Sequence, residues 1–248
     1  MHSYRTILAE MVRVSSSNGL HVPAYFARPL GPGPFPGIVL LHHLAGLDEG
    51  SVELVRTFAA HGYLTIAPYL HQREVPDTTS ENAADIIKSV GGPSDESVVA
   101  DAAGAIGFLE LQATWNGNQG VVGYCSGGRQ AYICAASLDF DAAVVCYGGR
   151  IVARPEDLTP RRPKAALDMT EDLRCPILGI FGADDQNPSP EQVLRIEQEL
   201  KLHAKPYEFH SYENAGHAFF DVNRDTYRPI AVKSAWPTIF NFLSSHLS

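Results

Sequence analysis

Cys125 lies at the centre of Gly123-Tyr-Cys-Ser-Gly127, and its surroundings are typical of a catalytic nucleophile. A nucleophile on a sharp turn between a strand and a helix has a strained backbone, and its neighbours must be small so that strand and helix pack closely. The N-terminus of the following helix would favour the thiolate, and the backbone N–H of Ser126 would donate to a developing oxyanion. Two alternatives remain open. Cys125 could be a buried structural cysteine, or the off-centre Ser126 could be the nucleophile.

The partners of such a nucleophile follow it in the chain, with the acid first and the histidine last. Two apolar runs each lead into a polar loop, one containing Asp184 and Asp185 and the other containing His217. An imidazole at the end of a strand could take the proton of Cys125 and return it, while a carboxylate fixes its tautomer. Adjacent aspartates also suit an ordinary turn, and His217 could be a loop histidine. The order of the three signals along the chain favours the catalytic interpretation.

Strand-like runs alternate with segments of helical spacing along most of the chain. This alternation predicts an α/β fold, with a mostly parallel central sheet and helices on both of its faces. No internal repeat or change in composition divides the sequence, so we expect a single domain over residues 1–248. Strands are predicted at 21–28, 38–42, 63–68, 120–124, 142–147, 176–181 and 206–212, and helices at 51–61, 94–113, 126–138, 189–202 and 229–247.

Composition argues against several classes of protein. Lys and Arg total 19 against 28 Asp and Glu, and a net charge of −9 without basic clusters makes a nucleic-acid partner unexpected. No apolar run approaches the ~20 residues that span a bilayer, and the N-terminus lacks the apolar core of a secretory signal. The cysteines form no CxxC pair and are expected to be reduced. We therefore expect a cytoplasmic protein with no membrane partner.

Several segments together resemble the dienelactone hydrolase (carboxymethylenebutenolidase-like) family of α/β-hydrolases. The cysteine-centred elbow is the most specific of them, because most α/β-hydrolases use serine. The resemblance implies an α/β-hydrolase fold and a cysteine-dependent ester or lactone hydrolase that works through an acyl-enzyme. We expect a small-molecule substrate, no cofactor, no metal, and a monomer or homodimer. The matching segments are Pro36-Gly-Ile-Val-Leu-Leu-His-His, Gly62-Tyr-Leu-Thr-Ile-Ala-Pro68, Gly123-Tyr-Cys-Ser-Gly-Gly128, Gly182-Ala-Asp-Asp185 and Asn214-Ala-Gly-His-Ala-Phe219.

The same resemblance implies roles for individual residues. It makes Cys125, Asp185 and His217 the triad, with Asp184 as the alternative acid. It also implies that the N–H groups of Leu44 and Ser126 form the oxyanion hole. The residues expected to line the substrate pocket are His43, Tyr124, Phe219 and Arg224.

Two positions depart from the family pattern. His43 stands where the archetypal enzyme has a glutamate that pairs with the resting thiol, so its ring could contact the thiol or substrate, or turn inward and donate to a backbone carbonyl. Phe220-Asp221 stands where that enzyme has an arginine that binds the substrate carboxylate. Recognition of an anionic lactone would then need another cation. The candidates are Arg73, Arg224 and Arg228.

Two other functions compete with this interpretation. His42 and His43 could bind a metal in a metal-dependent hydrolase, although neighbouring residues on a strand point to opposite faces and no HxxxH spacing is present. The chain could also be a non-catalytic binding protein on the same fold, because fold alone does not establish function. The glycines match neither a dinucleotide-binding fingerprint nor a phosphate-binding loop.

Overall fold

The computed structural model describes residues 5–77 and 82–248, and an eight-stranded sheet forms its centre. The strands are β1 (Ile7–Ser15), β2 (His21–Pro29), β3 (Phe35–Leu41), β4 (Leu64–Pro68), β5 (Trp115–Tyr124), β6 (Ala142–Cys146), β7 (Ile177–Gly182) and β8 (Tyr207–Tyr212). Their order across the sheet is β1-β2-β4-β3-β5-β6-β7-β8. Strands β3 to β8 run parallel, whereas β1 and β2 are antiparallel to their neighbours.

Helices cover both faces of this sheet. They are α1 (Glu49–Ala60), α2 (Ala83–Ser89), α3 (Asp95–Glu110), α4 (Ser126–Ser137), α5 (Pro190–Leu202) and α6 (Pro229–Leu247). Alternate side chains of β3 enter different clusters, since Val39 and Leu41 pack with α3, α4 and α5 while Ile38 and Leu40 pack with α1 and α6. A strand buried on both faces reads as a continuous apolar run, which explains why the central strands were recognisable in the sequence.

The predicted α/β class and the mostly parallel sheet are confirmed, and the predicted strands and helices are all present with ends shifted by a few residues. Strand β1 and helix α2 were not predicted, and neither were two short 3-10 helices at Pro155–Asp157 and Ala166–Asp172. Helix α2 lies within residues 71–93, for which the sequence predicted no helix or strand. Part of this stretch falls outside the described residues. No helix in the described ranges is long and apolar enough to cross a membrane.

The strand order creates a crevice at one end of the sheet. Strand β3 lies between β4 and β5 in the sheet. After β3 the chain turns towards β4, and after β5 it turns the opposite way towards β6, so the segments that follow β3 and β5 diverge at a topological switch point. Leu41 at the end of β3 pairs with Gly123 at the end of β5, which brings the residues after both strands side by side. Ligands in open α/β sheets bind in such a crevice.

Candidate active site

Cys125 occupies the turn between β5 and α4 with φ 56° and ψ −117°. A non-glycine residue with positive φ is strained by about 1–3 kcal/mol and persists only where its surroundings enforce it. Here the backbone N–H of Cys125 donates to the Cys146 carbonyl over 3.0 Å. A β-carbon at Gly127 would overlap the carbonyl of Leu41, so strand and helix approach too closely for a side chain there. The glycine pattern of the elbow therefore has a steric cause.

The structure brings Cys125, His217 and Asp185 into one hydrogen-bonded chain. The Nε2 atom of His217 lies 3.0 Å from the sulfur of Cys125, and its Nδ1 atom lies 2.9 Å from Oδ2 of Asp185. Burial disfavours the charged imidazolium, but the hydrogen bonds to Asp185 and Cys125 outweigh it and raise the pKa of His217 to about 10. The geometry therefore favours a protonated His217 beside Cys125.

The two neighbouring aspartates have different surroundings. Asp185 is 1% exposed, and its second carboxylate oxygen accepts the backbone N–H of Asn187 over 2.8 Å. Asp184 is exposed, and its backbone N–H donates to the carbonyl of Ala215. Only the Asp185 carboxylate contacts His217.

Two backbone N–H groups next to Cys125 have no acceptor within the described residues. Ser126 is the first residue of α4, so its N–H has no partner inside the helix. The N–H of Leu44 follows β3 and also makes no hydrogen bond to the described part of the protein. Both residues line the same cavity as Cys125 and His217. Two free N–H groups beside a nucleophile can stabilise an oxyanion.

This cavity, the catalytic pocket, has a volume of about 310 Å³ and a cationic wall. Arg129 is neutralised by Asp95, which accepts two of its N–H groups over 2.6 and 3.0 Å. Arg162 makes no ion pair with the described residues, and its Nε atom is buried without a hydrogen bond. Burial and the neighbouring charge of Arg129 lower the pKa of Arg162 to about 10, which leaves the guanidinium charged at neutral pH. The wall also carries Lys88 and Arg150.

The ring of His43 hydrogen-bonds neither to the thiol of Cys125 nor to a backbone carbonyl of the described residues, and its contact with substrate stays a prediction. Its Nε2 atom lies 2.8 Å from Oδ2 of Asp48, the residue that caps α1. Burial raises the pKa of Asp48, but hydrogen bonds from His43 and Ser51 outweigh it and lower this pKa to about 2. Asp48 is therefore a carboxylate that accepts the Nε2–H of His43. The ring is fixed by a carboxylate and not by a backbone carbonyl.

A hydrogen bond from a histidine ring to a backbone carbonyl, which was one expectation for His43, is made by His42 instead. Its Nδ1 donates to the carbonyl of His43 over 2.7 Å, and its Nε2 accepts the N–H of Leu70 over 3.0 Å. Both ring nitrogens are thus used inside the protein, which leaves none for a metal. Within residues 5–77 and 82–248, no group of three or more His, Cys, Asp or Glu side chains could hold a metal ion.

Two of the expected pocket residues lie elsewhere. Phe219 is fully buried in the core against Tyr147 and Tyr212, because the loop after His217 turns its ring inward. Arg224 pairs with Asp221 over 2.7 Å and lines none of the described cavities. These two assignments to the substrate pocket are corrected. Tyr124 and His43 line a second cavity, which adjoins the catalytic residues.

The other arginines proposed for an anionic substrate are also occupied. Arg73 forms two hydrogen bonds to the fully buried carboxylate of Asp101, at 2.7 and 2.9 Å. Arg228 donates to backbone carbonyls, including that of Asn214. The sequence reasoning missed Arg162, which comes from the irregular segment after β6. The only feature of the sequence that could have indicated Arg162 is the adjacent pair Arg161-Arg162. Such a basic pair in a loop is usually exposed to solvent, so it did not indicate a binding site.

The comparisons with known proteins identify the family of the chain. The model of the dienelactone hydrolase family matches residues 22–247. The chain belongs to the dienelactone hydrolase family. It is a hydrolase that acts on ester or lactone bonds, as the resemblance in the sequence implied.

Relatives of this family member cover nearly all of its length. A Methylorubrum extorquens protein assigned as a carboxymethylenebutenolidase is 30% identical over 93% of the chain and 78% of the relative. A Bradyrhizobium protein assigned as a 2-oxo-3-(5-oxofuran-2-ylidene)propanoate lactonase is 29% identical over 98% of the chain and 96% of the relative. The crystal structure of a Klebsiella pneumoniae protein assigned as a dienelactone hydrolase matches with a TM-score of 0.86 and 28% identity, covering 97% of this chain and 99% of that one. The expected α/β-hydrolase fold is thereby confirmed.

Proposed function

We propose that this family member is a cysteine-dependent hydrolase of esters or lactones that carry a carboxylate, with Cys125, His217 and Asp185 as its triad. The observation that carries the proposal is the 3.0 Å contact between the sulfur of Cys125 and Nε2 of His217, inside a pocket that opens beside two free N–H groups. The raised pKa of His217, about 10, supports a protonated histidine next to Cys125 that can act as the general acid in the first half of the reaction.

In the first half of the reaction, the thiolate of Cys125 attacks the carbonyl carbon of the substrate. The carbonyl oxygen becomes an oxyanion and accepts hydrogen bonds from the N–H groups of Leu44 and Ser126. When this intermediate collapses, the bond from carbon to the leaving oxygen breaks, and His217 gives its Nε2 proton to that oxygen. The products are an acyl-thioester on Cys125 and an alcohol, which stays tethered if the substrate was a lactone.

The second half repeats these steps with water. Neutral His217 removes a proton from a water molecule as its oxygen attacks the thioester carbonyl, and Asp185 stabilises the imidazolium that forms. Collapse of the second intermediate breaks the bond from carbon to sulfur. The acid leaves, the thiolate of Cys125 is restored, and its imidazolium partner is already in place.

The cationic wall supports an anionic acyl group in the substrate. Arg162 is a partly buried guanidinium without a carboxylate partner in the described residues, and such a charge gains most from an anion that replaces the missing partner. Arg129 already has Asp95, and Lys88 lies at the exposed rim, so Arg162 is the residue we assign to the substrate carboxylate. The propanoate in the name of the Bradyrhizobium relative describes a lactone of this kind.

Selective alkylation of Cys125 tests the proposed nucleophile. Cys134 and Cys146 are fully buried and Cys175 is 3% exposed, and burial raises the pKa of all three thiols. Iodoacetamide should therefore modify Cys125 first, as read by peptide mass spectrometry, and hydrolysis of an aryl ester should be lost in proportion. The Cys125→Ala variant should be folded and slower by several orders of magnitude.

Ser126→Ala is the matched control, because it removes the neighbouring hydroxyl and keeps the backbone N–H. It should retain most of the activity. Turnover at the wild-type rate in Cys125→Ala, or loss of turnover in Ser126→Ala alone, would contradict the proposed role of Cys125.

A further inference from the structure

A second cavity of about 230 Å³ lies beside the catalytic residues, on the face of the sheet covered by α1 and α6. We name it the aromatic chamber. The chamber and the catalytic pocket are lined by residues that are adjacent in the chain. His43 and Tyr124 line the chamber, whereas the next residues, Leu44 and Cys125, line the pocket. Its walls include five aromatic rings, which belong to Tyr124, Tyr147, Phe220, Tyr227 and Trp236.

Tyr147 and His43, which line the chamber, each carry a polar side-chain atom without a partner in the described residues; Tyr124 does too, but its hydroxyl is fully buried. The hydroxyl of Tyr147 makes no hydrogen bond, although this residue is only 3% exposed and has a positive φ of 37°. On His43, Nε2 is taken by Asp48 and Nδ1 makes no hydrogen bond. Because Nε2 carries the proton, Nδ1 of the neutral ring is an acceptor. The chamber thus offers one donor and one acceptor in otherwise apolar surroundings.

The acidic residues around the chamber all have an ion-pair or hydrogen-bond partner. Asp221 pairs with Arg224 over 2.7 Å, and Glu53 at the rim faces Arg56 over 3.9 Å. Asp48 accepts the hydrogen bond from His43. An ammonium ligand would therefore find no free carboxylate in the chamber, and an anion would lie among carboxylates. These charges favour a neutral ligand.

We propose that the aromatic chamber binds a neutral aromatic ring that carries a hydroxyl group, the size of a simple phenol. An apolar cavity of about 150 Å³ already accommodates benzene, so the chamber has room for one substituted ring. The ring packs against the rings of Phe220 and Trp236, which contact each other with 5.3 Å between their centroids. Its hydroxyl accepts from Tyr147 and donates to Nδ1 of His43, which gives both wall atoms a partner.

The position of the chamber links this ligand to catalysis. The ring of Tyr147 contacts the ring of His217 edge-on, with 5.3 Å between their centroids. Hydrolysis of an aryl or enol ester releases a phenol or enol from the side of the histidine that protonates it. The chamber then takes up the alcohol half of the substrate, while the catalytic pocket holds the acyl half. This link rests on the proposed function, whereas the binding itself does not.

Titration of the intact protein with 4-methylphenol tests the binding site, with isothermal calorimetry and saturation-transfer NMR as readouts. Thr57→Phe places a ring in the chamber from α1 and should abolish binding. Tyr147→Phe should weaken binding about threefold to tenfold through loss of one hydrogen bond. Toluene, which lacks the hydroxyl, should bind equally to Tyr147→Phe and to the wild type.

Tyr207→Phe is the matched control, because its hydroxyl donates to Glu197 over 2.8 Å and the residue does not line the chamber. This variant, and Arg162→Gln in the catalytic pocket, should bind 4-methylphenol within twofold of the wild type. Equal binding to Thr57→Phe, no binding to the wild type, or tighter binding of benzylammonium than of 4-methylphenol would each overturn the proposal. None of these results depends on hydrolysis, so a failure of the proposed function would be seen separately.

Discussion

Asp184 and Asp185 are adjacent in the chain, yet only one of their carboxylates can act on His217. Oδ2 of Asp185 lies 2.9 Å from the imidazole and is sealed from water, whereas Asp184 is exposed. We predict that Asp185→Asn lowers kcat for an aryl ester about 10³- to 10⁴-fold, because an amide no longer fixes the tautomer or stabilises the imidazolium.

The matched variant Asp184→Asn should change kcat less than threefold under the same conditions. Steady-state rates at neutral pH, with circular dichroism to verify folding, decide between the two residues. A larger loss in Asp184→Asn would transfer the role of the acid to that residue.

The assigned role of Arg162 predicts a preference for anionic over neutral substrates. An ester with a free carboxylate on its acyl part and its methyl-capped neutral analogue form a matched pair of substrates. We predict that Arg162→Gln lowers kcat/KM for the anionic ester about 10- to 100-fold, since a charge-assisted contact is lost. The neutral ester should change less than twofold.

Arg224→Gln provides the comparison, because this arginine was the candidate from the sequence and is held by Asp221. Both substrates should react with it as with the wild type. If Arg224→Gln loses the anionic ester and Arg162→Gln does not, the carboxylate binds at the other arginine.

The site residues that could be predicted from the sequence are those that directly follow a predicted strand. Cys125, the pair Asp184-Asp185 and His217 were expected because each follows a recognisable strand, and the resemblance to the family selected Asp185 from the pair. Arg162 and the pairing of His43 with Asp48 were not predicted. The first comes from a segment without periodicity, and the second depends on the path of the chain between β3 and α1.

Among the elements, the elbow between β5 and α4 is the one whose sequence is most constrained. A β-carbon at Gly127 would overlap the carbonyl of Leu41, which belongs to the backbone of β3 and cannot move aside. We predict that Gly127→Ala lowers the free energy of unfolding by more than about 3 kcal/mol or prevents folding. Urea unfolding measured by circular dichroism gives the value.

Gly107→Ala in α3 is the control, because a β-carbon there meets nothing within 4 Å. Alanine should stabilise the helix by about 0.5–1 kcal/mol. Equal effects of the two substitutions would show that the approach of α4 to β3 is not the constraint.

The elements that escaped prediction are the peripheral ones. Strand β1 lies at the edge of the sheet, and most of its residues are exposed or half-buried, so the sequence shows no buried apolar run. Helix α2 has only seven residues, too few for a helical period to stand out. The central strands were found because burial on both faces leaves little choice of residue.

Over the whole molecule, a buried ion pair joins distant parts of the chain. Arg73, after β4, contacts Asp101 in α3, and its guanidinium also reaches Ser16 after β1. Asp101 is fully buried. We predict that Asp101→Asn costs about 3–5 kcal/mol of unfolding free energy, because it leaves the partly buried charge of Arg73 without its partner.

The exposed pair of Arg174 and Asp139 allows a matched comparison, since the Asp139 side chain is 88% exposed. Asp139→Asn should cost less than about 1 kcal/mol. Thermal and urea unfolding of both variants measure the difference. A cost for Asp101→Asn as small as that for Asp139→Asn would mean that the buried pair adds nothing to stability.

The separation of Cys125 and His217 along the chain has a consequence during protein synthesis. The two residues are 92 positions apart, and β8, which carries the histidine loop, pairs with β7 at the edge of the sheet. At ~5–20 residues per second, a ribosome adds the intervening chain in roughly 5–20 s. Under the proposed mechanism, the nascent polypeptide then contains Cys125 but not the histidine that would activate it. Hydrolytic activity therefore arises late in translation, and a polypeptide released before β8 would carry an inert thiol.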